Sequence, residues 1–300
     1  MRDLNEVSMG RAMVLRSAVR LQQLVPEAVS VSSSTGVPCA HLEQRLGAVF
    51  DALESDPEWV FNRANPGKVI LSELGGIEAG VRQMIRTVPL EVEEVTLAGG
   101  SAIRVPTAEE SVRIKAWLIV RRNQVRDYLD VAALSGEFGV DWAATTLRGI
   151  DTYYADTNSG PDSVASQVVR QLSDPRPKDL RTTPQLSGYK GLRRSWTDWD
   201  RIVLQCRAIA DAMSLGGVRH DTPTSELRFR NLNVAPDDPV EAWGVEGIVT
   251  AIDRGALRDW SRIVDAVRAD PNGSVTHDLS EAVEIAEDHG VVALMRRALG

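Results

Sequence analysis

The chain has 300 residues, 43% of them hydrophobic and 25% charged, which excludes a wholly disordered chain, a collagen-like repeat or a coiled-coil rod. No apolar run approaches the roughly 20 residues of a membrane-crossing helix, and the arginine-interrupted start MRDLNEVSMGRAMVLRSAVRL has no secretory apolar core. Two cysteines, Cys39 and Cys206, are too few and too distant for a disulfide framework or a zinc ribbon, so a cytoplasmic protein without membrane association is expected. The net charge of −8 is uneven: Pro236 to Gly300 carries 13 acids against 6 bases, whereas Arg170 to Arg201 carries 8 bases against 4 acids.

In chain order, Met9 to Leu24 has helical spacing and is broken by Pro26. Ala28 to Val31 reads as a strand, followed by the polar run Ser32-Ser33-Ser34-Thr35-Gly36. His41 to Leu53 is an amphipathic helix, and Trp59–Phe61 and Lys68–Leu71 are strands joined at Asn65-Pro66-Gly67. Leu90 to Leu97 alternates apolar and acidic residues and turns at Gly99-Gly100 into Ala102–Val105. Residues 28–105 therefore predict a small mixed sheet with at least one helix.

Thr107 with Glu110 forms a capping-box signature for a helix running to Arg122. Further helices are predicted from Val125, over Asp141–Tyr154, Ser163–Leu172 and Trp199–Met213. Residues 216–238, rich in Gly, Pro, Thr and Asn, read as a linker. Val240–Asp253, Leu257–Ala269, Leu279–Glu287 and Val291–Leu299 follow as an acidic helical module over 239–300. The fold class is thus α+β: a domain over 1–215, with its sheet at 28–105 and helices at 106–215, then the linker and the module.

The chemistry concentrates between Arg104 and Asp130. Lys115 stands in an apolar helix, followed by Arg121, Arg122 and Arg126-Asp127-Tyr128-Leu129-Asp130. Asp127 and Asp130 lie three apart and can share one helix face. Lys115 can serve as a point charge for phosphate, or extend its amine out of the core while Arg126 and Asp127 pair locally. Glu91 and Glu93 alternate on a strand and share a face, and Ser32 and Ser33 can donate to phosphate or simply form a turn. Trp196 and Trp199 beside Arg193-Arg194 suit packing or base stacking.

The ordered set Pro106, Glu109, Lys115, Arg126, Asp127 and Asp130 resembles the AbiEii/AbiGii-type nucleotidyltransferase toxins, in an actinobacterial branch. The fuller run, Glu54 to Trp59, Pro66 to Ile70, Glu78 to Arg82 and Tyr189 to Leu192, is similar to that branch over about residues 10–213. The resemblance implies a minimal nucleotidyltransferase-like mixed sheet whose acids hold Mg²⁺ and whose reaction moves a nucleotide from an NTP to tRNA or protein, in a toxin–antitoxin or phage-defence system with a cognate antitoxin. Lys115, Asp127, Glu91 and Glu93 would then be catalytic, with Glu91 and Glu93 on the metal, and Ser32, Ser33, Arg122 and Arg126 would bind nucleotide. Gly36 and Pro38 occupy the positions of the family's metal-binding aspartates, and neither has a side chain that ligates a cation. This leaves a second expectation: a pseudoenzyme that binds nucleotide, RNA or a partner protein. A third is an antitoxin or regulator acting through the acidic module, which can dock on the basic Arg170–Arg201 segment.

Overall fold

The structure is a computed structural model that describes residues 29–31, 34–38, 50–51, 54–57, 59–65, 69–74, 77–84, 88–97, 100–188, 192, 194–215, 227–229 and 232–300. The expected helix at Met9–Leu24, most of that at His41–Leu53, and the candidates Ser32 and Ser33 lie outside these residues. The chain divides into two compact units, Met1–Ser111 and Val112–Gly300.

The first unit holds a five-stranded sheet in the order β1-β2-β5-β4-β3: β1 is Val29–Val31, β2 Ser34–Pro38, β3 Trp59–Asn65, β4 Val69–Leu74 and β5 Ile77–Met84. Among the described residues of this sheet, the β2–β5 pairing is parallel and β1–β2, β3–β4 and β4–β5 are antiparallel. β3 and β4 are paired, with Asn65 opposite Val69, while Pro66 and Gly67 of the expected turn lie outside the described residues. The polar run after β1 is not a turn alone, because Ser34, Thr35 and Gly36 belong to β2. Gly36 sits opposite Val29, and Pro38 ends the strand beside Met84, where a missing N–H interrupts little pairing. A second hairpin pairs β6 (Val92–Thr96) with β7 (Ala102–Pro106), and Gly100 turns it at φ +79°.

The helix α1, Ala108–Arg122, starts with the Thr107 half of the predicted capping box: Glu110 N–H donates to Thr107 Oγ1 at 3.1 Å, while the Thr107 N–H donates to the Glu91 carbonyl. The Glu110 carboxylate accepts from the Glu91 backbone N–H at 3.2 Å, anchoring the start of β6.

In the second unit, α2 (Val125–Phe138), α3 (Val140–Arg148), the short α4 (Asp151–Tyr154) and α5 (Val164–Ser173) precede α6 (Trp199–Ser214). Then come α7 (Gly244–Arg254), α8 (Leu257–Ala269), α9 (Ser274–Ile285) and α10 (His289–Leu299). α6 is the central helix, touching α2, α3, α5, α8 and α10. One apolar core runs through all of them, including Tyr128, Leu147, Ile209, Trp260 and Met295. The expected boundary near 215 is therefore not where the chain divides. The acidic helices share the core of the helices before them because their apolar faces point inward while their acids lie outside or cap helix ends. Asp288 accepts from Val291 N–H at the start of α10, and Asp259 from Ala256 N–H at the start of α8. The predicted linker is packed where it is described: Leu227 is buried, Phe229 meets Trp243 edge-on, and Arg262 donates to the Pro236 and Asp238 carbonyls.

Arginines close this unit. Arg148 donates to the Ala212, Met213 and Leu215 carbonyls, placing positive charge at the C-terminus of α6. Arg297 grips both oxygens of Asp211, at 2.7 to 3.0 Å, and reaches the Ser173 carbonyl at 3.1 Å.

Asp151 caps α5 from thirteen residues away, accepting from Val164 N–H at 2.6 Å. Burial raises its pKa above the ordinary carboxylate value, and its hydrogen bonds to Val164, Ala165 and Ser163 oppose the shift without cancelling it. The folded protein thus holds this proton more tightly than the unfolded chain does. That contribution is complete below the unfolded pKa, about 4, and is lost as pH rises through the raised folded value. The stability of the wild type minus that of Asp151→Asn, from urea unfolding at a series of pH values, should fall as pH rises. A difference that grows with pH would contradict the assignment.

Candidate functional site

Asn123 ends α1 in the left-handed region, at φ 52°, which asparagine tolerates better than most residues. α2 then begins at Val125, although Gln124 supplies no side-chain cap. The cap comes instead from Asp179 Oδ1, which accepts Val125 N–H at 2.8 Å. Two more bonds tie the same loop to the junction: Asn123 Nδ2 donates to the Arg176 carbonyl at 2.9 Å, and Lys178 N–H to the Asn123 carbonyl at 2.8 Å. The Tyr128 hydroxyl donates to Asn123 Oδ1 at 2.6 Å and lies 2.9 Å from Gln171 Oε1. Burial raises the Tyr128 pKa, keeping it a neutral donor.

The charged candidates of this junction are joined to one another. Asp127 is fully buried in the first turn of α2 and takes a two-pronged bond from Arg122, Nε to Oδ2 at 2.7 Å and a terminal nitrogen to Oδ1 at 2.6 Å. The hydrogen bond to Asp127 holds the Arg122 guanidinium protonated beyond its ordinary value, although burial works against it. The expected local partner of Asp127, Arg126, is exposed instead. Lys115 is buried, and its Nζ lies 2.7 Å from Asp130 Oδ2. The helical face predicted for Asp127 and Asp130 thus carries two ion pairs, Arg122–Asp127 and Lys115–Asp130.

Glu91 and Glu93 belong to the first unit and are both exposed. They do not share a strand face as expected, because Glu91 precedes β6, its carbonyl accepting Thr107 N–H at 3.0 Å, while Glu93 lies within the strand opposite Val105. Among the described residues no three His, Cys, Asp or Glu side chains gather so as to hold a metal ion. Trp196 is buried under Arg201, and Trp199 meets Tyr128 edge-on, which is packing. Sequence reasoning missed the loop 174–181. Its signal was the basic run with Pro175 and Pro177, and its partner, the α1–α2 junction, lies more than fifty residues earlier.

This chain is similar to MmpL11 transport proteins of mycobacteria. It is 30% identical to the heme uptake protein MmpL11 of Mycobacterium tuberculosis over 223 residues, 67% of this chain and 22% of that protein. It is 30% identical to the mycolic acid-containing lipids exporter MmpL11 of Mycolicibacterium smegmatis over 209 residues, 67% of this chain and 21% of the relative. It is also 34% identical to the probable transport protein MmpL11 of Mycobacterium leprae over 128 residues. The chain spans about a fifth of the length of the first two relatives. No family model and no solved structure matches it.

These similarities overturn the resemblance to AbiEii/AbiGii-type toxins and what followed from it: the nucleotidyltransferase activity, the toxin–antitoxin setting, and the NTP, tRNA and antitoxin partners. They equally overturn the cytoplasmic, membrane-free placement, since uptake and export run across a membrane. The physical reason for the misreading is that a lysine and aspartates at helical spacing occur wherever ion pairs tie one helix to the next. Among the described residues, no helix is long and apolar enough to cross a membrane.

Proposed function

We propose that this chain serves an MmpL11-type transport system as a packing module, its helical unit holding position beside the translocating machinery through its surface. The observation that carries this reading is the 30% identity to transport proteins over 67% of the chain. It is supported by the closed character of the unit. Residues chemically suited to cargo, Cys206, Tyr128 and Tyr154, are fully buried in the core, and burial raises the Cys206 thiol pKa. Lys115, Arg122, Asp127 and Asp130 are paired with one another.

The test is a chimera in which the matching stretch of the Mycolicibacterium smegmatis exporter is replaced by the corresponding residues of this chain. The chimera should accumulate in the membrane fraction at wild-type level and keep exporting lipid, whereas a plain deletion of the stretch should lose both. A chimera that behaves like the deletion would overturn the reading.

A further inference from the structure

We propose that the α1–α2 junction and the loop 174–181 together form a docking surface for an anionic phospholipid bilayer. The three hydrogen bonds between Asn123 and Val125 on one side and Arg176, Lys178 and Asp179 on the other bring two basic segments to one end of the helical unit. The first segment presents Arg121 and Arg126, and the second presents Arg176, Lys178 and Arg181, all exposed.

The acids of this end are occupied. Asp127 is buried on Arg122, Asp130 holds Lys115, Asp179 caps α2, and Asp174 pairs with Arg176 at 2.6 Å. Arg121 lies over the Trp117 ring, which leaves its charge in place. Among the described residues, Arg126, Lys178 and Arg181 take part in no ion pair. The surface is thus cationic in a chain whose net charge is −8, so its attraction for anions is local rather than a property of the whole molecule.

Leu180 decides the kind of partner. It is 48% exposed between Asp179 and Arg181, at the start of the 3-10 segment Leu180–Gly188. An exposed apolar side chain beside Arg181, on the loop that also carries Lys178, suits a bilayer interface, where the cations meet headgroup phosphates and the leucine enters the acyl boundary. A nucleic-acid strand would offer phosphates but nothing for Leu180 to enter. The inference rests on the transport reading only in placing a bilayer nearby.

The experiment is co-sedimentation of the full chain with vesicles of phosphatidylcholine alone, or of phosphatidylcholine with one third phosphatidylglycerol. The chain should sediment with the anionic vesicles at low salt, be released at high salt, and ignore the neutral ones. The triple variant Arg126→Gln, Lys178→Gln, Arg181→Gln should bind about a hundredfold more weakly. Its far-UV circular dichroism and melting should be unchanged, because the three side chains are exposed. Equal sedimentation with both vesicles, none with either, or a triple variant that binds like wild type would overturn the proposal. So would tight binding of single-stranded RNA, lost in the triple variant, by a chain that ignores vesicles. A chain that binds anionic vesicles but fails the chimera test would keep this surface and lose the transport reading, and the reverse pattern would do the opposite.

Discussion

Asp127→Ala should lower the unfolding free energy by about 3–5 kcal/mol, the range for breaking a buried ion pair by removing one partner. Asp127 is fully buried, and its two oxygens each accept a bond from Arg122. The Arg122 side chain is 26% exposed and can swing partly into water, which sets the lower end of that range as the expectation. The carboxylate also lies in the first turn of α2, where negative charge meets the positive end of the helix. A loss of this size is a large share of the roughly 5–15 kcal/mol that a domain has. In urea the midpoint should fall with an unchanged slope. A loss below about 1 kcal/mol, the value typical of exposed pairs, would show that the pair does not hold the helices together.

Arg170→Met is expected to cost about 2–4 kcal/mol, from lost charged hydrogen bonds and a lost ring contact. Arg170 joins four parts of the helical unit: it pairs with Asp162 and with Asp288 at the start of α10, donates to the Gly255 carbonyl, and lies 5.0 Å over the Trp260 ring. Its side chain is 18% exposed and that of Asp288 21%, so this pair is sheltered, whereas Asp162, at 41%, contributes less. Thermal unfolding of the variant should still show a single transition for the helical unit, at lower temperature. Separate melting of residues 239–300 would contradict the shared core.

Much of the helical unit was legible because its signals are local. The Thr107–Glu110 capping box, the Ser163 cap and the apolar stripe of Leu257–Ala269 each lie within one helix, and each marks a helix that forms. β5 was missed because Ile77, Ala79 and Val81 alternate with polar or small residues too weakly to outweigh Gly80 and Gln83. β2 was missed because Ser34-Thr35-Gly36 is turn-like in composition and becomes a strand only through pairing with β1 and β5. The boundary near 215 was inferred from the Gly-, Pro-, Thr- and Asn-rich run 216–238 and from the acidic charge that follows it. Charge describes the surface, and the core that joins α5 and α6 to α8 and α10 is apolar. At the candidate site, the sequence shows that Lys115 and Asp127 stand in apolar helices, but not that Asp130 and Arg122 are their partners. Nor can spacing show that Asp179 caps a helix that starts fifty-four residues before it.

The double-mutant cycle of Arg122→Ala, Asp127→Ala and the two combined tests most directly whether these charges are structural. The combined variant should be little less stable than Asp127→Ala alone, giving a coupling of about 2 kcal/mol. An additive cycle, within about 0.5 kcal/mol, would mean that Asp127 is held there for something other than Arg122, and the structural assignment of this cluster would fall.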